Sequence, residues 1–136
     1  WEGRKMEQIR NDMCFVCGEK NARGLHLKFR DEEWASAADF IPGPEYQGYP
    51  GVLHGGLLST VLDEIMARPL NVKGLNAFTA KLEVRFRSAA RIGEKLSVRG
   101  EKVGERGRLY EMKALITREN GETVAEATGT FMAKKK

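Results

Sequence analysis

Tyr49-Pro50-Gly51-Val52-Leu53-His54-Gly55-Gly56-Leu57-Leu58-Ser59-Thr60-Val61-Leu62-Asp63-Glu64 is the stretch whose reading decides the fold. It places two glycines where an apolar-striped helix begins and two carboxylates further along that helix. Pro42-Gly43-Pro44 and Tyr49-Pro50-Gly51 interrupt regular structure, so residues 42–53 are expected to form a loop entering the helix at about Gly55 or Gly56. Pro69 is expected to end it. At about 100° per residue, Leu57, Leu58, Val61, Leu62, Ile65 and Met66 fill one half of the helical wheel, and Ser59, Thr60, Asp63 and Glu64 fill the other. One face is core and the other is available for chemistry.

Working outward, Met6, Ile9, Arg10 and Met13 have helical spacing and predict a short helix before the turn-rich segment from Cys17 to Gly24. Leu25, Leu27 and Phe29 then alternate with His26, Lys28 and Arg30, the period of a half-buried strand. Trp34 to Ile41 reads as a second strand, and the two together as a hairpin. Beyond Gly74, Phe78, Ala80, Leu82, Val84 and Phe86 alternate with Thr79, Lys81, Glu83, Arg85 and Arg87, which predicts a long, half-exposed antiparallel strand. Leu96 and Val98 mark a further strand, Tyr110, Met112, Ala114 and Ile116 another, and Val124 to Met132 the last. Turns are expected at Gly104 to Gly107 and at Asn120-Gly121. Ala125, Ala127 and Gly129 share one face of the last strand and would let a helix approach closely. The order is two strands, a long helix, then four strands, an α+β fold with one helix against one antiparallel sheet.

The 136 residues, 41% of them hydrophobic, suit one domain over 1–136, with 1–24 as an N-terminal helix and loop extension. A core of that size gains from a partner. The net charge of +4 suits an anionic ligand. Acidic and basic residues nevertheless alternate, and only Lys134-Lys135-Lys136 forms a run, read as a solvated tail rather than a nucleic-acid contact. No apolar run approaches the roughly 18 to 20 residues of a membrane span. The opening Trp1-Glu2-Gly3-Arg4-Lys5 also lacks the apolar core of a secretory signal. The expectation is a soluble cytoplasmic protein without membrane or nucleic-acid partners.

A helix start presents unpaired N–H groups and partial positive charge, and glycine lets a ligand oxygen come near them. His54-Gly55-Gly56 therefore suits an oxyanion, although the glycines equally permit a tight turn. With the long helix, an acid nine residues after the histidine, and the strand order around them, residues from about Cys14 to Met132 resemble the hotdog-fold acyl-CoA thioesterases of the PaaI-like branch. That resemblance implies a central helix wrapped by an antiparallel sheet that continues across a homodimer, alone or as a dimer of dimers. It implies no cofactor. By position, it makes the Gly55 N–H the donor that polarises a thioester carbonyl, Asp63 the general base or nucleophile, and Thr79 the residue that orients water. Gly56 joins the substrate site. His54 either contacts substrate or locks the turn. The helix pattern alone does not separate Asp63 from Glu64; the resemblance favours Asp63, leaving Glu64 as a solvated acid or a substrate contact.

The chain departs from the family where several members carry an asparagine six residues before the histidine. Gly48 stands there, and Gln47 is the nearest polar substitute. Ala89 replaces a frequent proline. Arg85, Arg87, Arg91 and Lys95 are candidates for the phosphates of coenzyme A, with Arg87 and Arg91 preferred, while Tyr46 and Tyr49 border the acyl pocket or anchor the loop. The eight residues of helix from Gly55 to Asp63 rise ~12 Å, so one chain does not bring Asp63 and the Gly55 amide to one carbon. Shared chemistry requires a second subunit. A non-catalytic acyl-CoA-binding protein is the alternative on the same fold. A dehydratase would need a histidine and an acid converging on substrate, and neither His26 nor His54 resembles that setting.

Cys14-Phe15-Val16-Cys17-Gly18 has the spacing of half a zinc site without a second cysteine pair, His26 being the only nearby addition. No metal is expected. The cysteines are read as structural, covering a sheet edge.

Overall fold

The computed structural model describes residues 12–134, so the short helix expected from Met6, Ile9 and Arg10 lies outside the described residues. The elements run β1 (Arg30–Glu32), β2 (Ala35–Phe40), α1 (Gly55–Val72), β3 (Ala77–Phe86), β4 (Leu96–Arg106), β5 (Leu109–Arg118) and β6 (Thr123–Ala133). They form the helix-on-sheet arrangement expected: a six-stranded antiparallel sheet in the order β1-β2-β4-β5-β6-β3, with α1 on one face. Gly107 and Gly121, both at positive φ, turn β4 into β5 and β5 into β6.

The core is the meeting of two periodicities. Leu58, Val61, Leu62, Ile65, Met66 and Leu70 of α1 are buried, as are Leu96, Val98, Met112, Ile116, Val124 and Phe131 of the sheet. Each such side chain contributes about 1.5–3 kcal/mol by leaving water. Among the described residues, no helix is long and apolar enough to cross a membrane.

Three expectations are corrected. Pro69 does not end α1, which continues to Val72. Without an N–H, Pro69 leaves the Ile65 carbonyl free of its helical partner, and that oxygen lies where β4 passes. A Cβ on Gly100 would fall 2.4 Å from Ile65 O, so at Gly100, on β4, helix and sheet meet backbone to backbone. On β6, Gly129 does meet α1, through the Met66 methyl, 3.2 Å from where its Cβ would stand. Secondly, residues 25–29 lie outside the sheet: His26 stands at φ +54, the Leu25 and Leu27 N–H groups donate to the Phe15 and Val16 carbonyls, and pairing with β2 begins only at Arg30. Thirdly, the apolar side of β3 is covered only in part: Val84 packs against the core, but Phe78 and Phe86 are 60% and 53% exposed, and Leu82 is exposed beside them, on a strand that ends the sheet.

The β1–β2 turn puts Trp34 at φ +56, a conformation costing about 1–2 kcal/mol for a residue with a Cβ. Its ring stacks on Tyr110 at a 6.2 Å centroid separation, with Lys102 Nζ 3.6 Å and Lys73 Nζ 5.0 Å from its centroid. Such cation–π contacts offset the backbone cost by about 0.5–2 kcal/mol each. At the other side of β1, Asp31 accepts two hydrogen bonds from Arg68 of α1 (3.1 and 2.9 Å) and one from the buried Ser36 hydroxyl (2.8 Å).

Candidate active site

His54 is the N-cap of α1, and its Nδ1 accepts a hydrogen bond from the Gly56 N–H at 2.8 Å. Its carbonyl accepts from the Leu57 and Leu58 amides at 3.0 and 3.3 Å. The Gly55 N–H alone among these first-turn amides has no hydrogen-bond partner among the described residues. It stands at the positive end of the helix dipole. With Nδ1 accepting, a neutral His54 carries its proton on Nε2, an outward donor. The two glycines serve different ends. A Cβ on Gly56 would press on the His54 ring at 3.0 and 3.1 Å and push the capping ring aside by a few tenths of an ångström, whereas a Cβ on Gly55 would meet only the Phe86 ring at ordinary contact distance. Phe86 therefore forms an apolar wall beside the open amide; the strand alternation names it, but nothing in the sequence pairs it with Gly55.

Asp63 lies eight residues further along the same helix, ~12 Å by helical rise. The Thr79 hydroxyl donates to Asp63 Oδ1 at 2.7 Å. A β-bulge between Thr79 and Lys81 adjoins that contact, and bulges re-aim the side chains beside them. The chain thus brings Thr79 to Asp63 and His54 to the glycine turn, and keeps the two pairs apart.

Glu64 does not join either pair. It is half-buried beneath the segment holding Cys14 and Cys17, with the Cys14 thiol donating to Oε2 at 3.8 Å. Burial pushes its carboxyl above the usual range, and burial together with the Glu64 charge pushes the Cys17 thiol up. Glu64 is half-buried rather than solvated, and the cysteines face α1 rather than a sheet edge. Aperiodic residues 12–18 cover the helix there, and helical periodicity carries no trace of them. His26 is elsewhere engaged, its Nε2 2.6 Å from the Asn21 carbonyl oxygen.

Residues 50–125 match the family model described as the thioesterase superfamily. The chain belongs to the thioesterase superfamily. The mouse acyl-coenzyme A thioesterase THEM5 is 29% identical over 106 residues, which are 76% of this chain and 42% of that protein. The chain therefore spans under half the length of the curated relative it matches. Among solved structures, a hypothetical thioesterase protein from Streptococcus pneumoniae with coenzyme A superposes with a TM-score of 0.77 at 22% identity, covering 81% of this chain and 90% of that one. The Escherichia coli PaaI protein superposes with a TM-score of 0.75 at 18% identity, covering 79% and 83%. The fold is that of the hotdog thioesterases. Mutants of the pneumococcal protein replace an aspartate and a threonine by alanine, at positions sixteen residues apart; Asp63 and Thr79 have the same separation here.

The remaining expected contacts of this superfamily domain divide into committed and open groups. Gln47 Oε1 accepts the Gly51 N–H at 2.9 Å, so this side chain braces the loop while bordering a cleft of about 350 Å³ with His54, Gly56 and Thr60. Tyr46 donates its hydroxyl to the Gly24 carbonyl at 3.1 Å and is a loop anchor; Tyr49 is exposed. Arg87 is ion-paired to Glu126 at 2.7 Å. Arg91 pairs its backbone with Val52, beside the helix entry, and its guanidinium makes no hydrogen bond or ion pair among the described residues.

Proposed function

We propose that this domain hydrolyses an acyl-CoA thioester to the free acid and coenzyme A, with the Gly55 N–H as oxyanion donor and Asp63 as base or nucleophile. The observation that carries the reading is the division of the first turn of α1: every neighbouring amide is bonded, and the Gly55 amide is left for a ligand oxygen. A donor aimed at a developing oxyanion stabilises the transition state more than the ground state. In one form of the reaction Asp63 takes a proton from a water oriented by Thr79, the water oxygen adds to the carbonyl carbon, and the intermediate collapses by expelling the thiolate. In the other, Asp63 adds directly, expels the thiolate and leaves an anhydride for water to open. The spacing of the replaced aspartate and threonine in the pneumococcal protein supports giving these roles to Asp63 and Thr79.

Gly55 and Asp63 lie on one rigid helix, so each site takes its amide from one chain and its carboxylate from a partner. The exposed β3 edge, with Phe78, Leu82 and Phe86 uncovered, supports pairing of two β3 strands into a continuous sheet. Arg91, uncommitted beside the glycine turn, is the better candidate than Arg87 for the coenzyme's phosphates.

Thiol release measured across short-chain, long-chain and aromatic acyl-CoAs tests the activity. Hydrolysis of at least one class is expected; binding without hydrolysis of any would leave an acyl-CoA-binding protein instead. Single turnover in heavy-oxygen water then separates base from nucleophile, because only direct attack puts the label into Asp63.

A further inference from the structure

The segment Cys14-Phe15-Val16-Cys17-Gly18 folds so that both sulfurs face α1. The Gly18 N–H donates to the Cys14 carbonyl at 2.9 Å. A Cβ on Gly18 would fall 2.3 Å from Asp12 O and 2.4 Å from Cys14 N, so only glycine lets the turn close. Val16, between the cysteines, is buried in the core, and the carbonyls of Phe15 and Val16 each accept an N–H at 2.9 Å, from Leu25 and Leu27. The turn is therefore fixed from both sides. Into it projects Glu64, fifty residues on from Cys14, and the two sulfurs and one carboxylate oxygen lie within 4.8 Å of one another.

All three side chains are half-buried, and among the described residues Glu64 is in no ion pair. Arg68, one turn further along α1, is committed to Asp31. The cluster thus concentrates three acidic groups where, among the described residues, no cation is ion-paired to them and Arg68 acts on Glu64 and Cys17 only through space.

Two soft sulfurs and a carboxylate oxygen are a zinc donor set. With Zn–S near 2.3 Å and Zn–O near 2.1 Å, a tetrahedral ion sets its ligands ~3.6–3.8 Å apart. The 3.8 Å between Cys14 Sγ and Glu64 Oε2 fits that spacing. The sequence argument against metal counted cysteine and histidine only; the third donor comes from the helix.

We propose that Cys14, Cys17 and Glu64 bind one Zn²⁺, with water in the fourth position, tying the N-terminal turn to α1 one residue beyond Asp63. On binding, each thiol gives its proton to solvent, Glu64 coordinates as the carboxylate, and no electron is transferred. Affinity therefore rises with pH. The site is independent of the thioesterase reading, because metal loading is measured without substrate.

The test uses the full chain, reduced, stripped with a chelator and titrated with Co²⁺ and then Zn²⁺. Expected are one Co²⁺ per chain, a sulfur-to-cobalt charge-transfer band, and its loss on adding Zn²⁺. Zn²⁺ at a hundredfold excess over Kd should raise Tm by roughly 10 °C. Cys14→Ser should weaken the band, and Glu64→Gln, which leaves both sulfurs, should keep it while weakening binding at least about tenfold. Absence of the band in protein shown by thiol titration to hold both free thiols overturns the proposal. So does an unchanged affinity in Glu64→Gln, or a Cys14–Cys17 disulfide that persists in reducing glutathione buffer and excludes the metal.

Discussion

Asp63 and Glu64 are adjacent on α1 and face different neighbours: one meets the Thr79 hydroxyl, the other two thiols. Asp63→Asn is therefore expected to keep the fold and lower kcat by about two to four orders of magnitude, whereas Glu64→Gln should leave steady-state kcat near wild type. The reverse ranking would mean that the wrong acid has been given the role. Thr79→Ala should lower kcat roughly ten- to a hundredfold with little change in KM, since its hydroxyl holds the carboxylate and acts with it in the transition state. Thr79→Ser should restore most of the rate, and a wild-type rate in the alanine variant would remove Thr79 from the mechanism. A helical wheel could not separate the two acids, because both belong to its polar half. What divides them is tertiary: a bulged strand on one side and an aperiodic turn on the other.

At the scale of elements, strands were legible wherever one face is buried, as the alternation of Tyr110, Met112, Ala114 and Ile116 in β5 illustrates. The close approach of α1 to the sheet was not, since it joins a carbonyl freed by Pro69 to a glycine two strands away. Gly100→Ala should cost about 1–3 kcal/mol in urea unfolding, because the neighbour it meets, the Ile65 carbonyl, is backbone and cannot turn aside. Gly129→Ala should cost less, its contact with α1 being the flexible Met66 methyl; equal losses would show that the helix is free to shift over β4. Asp31 carries the acid dependence of the β1–α1 contact. Hydrogen bonds from Arg68 hold its carboxyl below the usual carboxylate range, so its contribution is present above the unfolded value near 3.8 and is lost as pH falls through the lower folded value. The stability difference between wild type and Asp31→Asn should accordingly be constant from about pH 7 to 5 and shrink below about pH 4. A difference that persists unchanged at lower pH would assign the effect to packing rather than charge.

For the whole molecule, the proposed sharing of a site between two chains is tested by complementation. Asp63→Asn chains keep the Gly55 donor and lack the acid, while Gly55→Pro chains keep the acid and lack that N–H, at a helix position where proline is tolerated. Each homodimer should be nearly inactive. Refolding an equal mixture makes about half the dimers mixed, each with one intact site, so roughly a quarter of wild-type activity should return. If native mass spectrometry shows mixed dimers and activity stays at the level of the separate variants, each site belongs to a single chain. The placement of the proposed donor, Gly55, and the proposed acid, Asp63, eight residues apart on one unbroken helix has a kinetic consequence as well. No internal motion of a chain closes that gap, so the proposed shared site makes dilution an inhibitor: below the dissociation constant of such a dimer, initial rates should fall with the square of protein concentration, and recover on reconcentration with a lag set by subunit encounter.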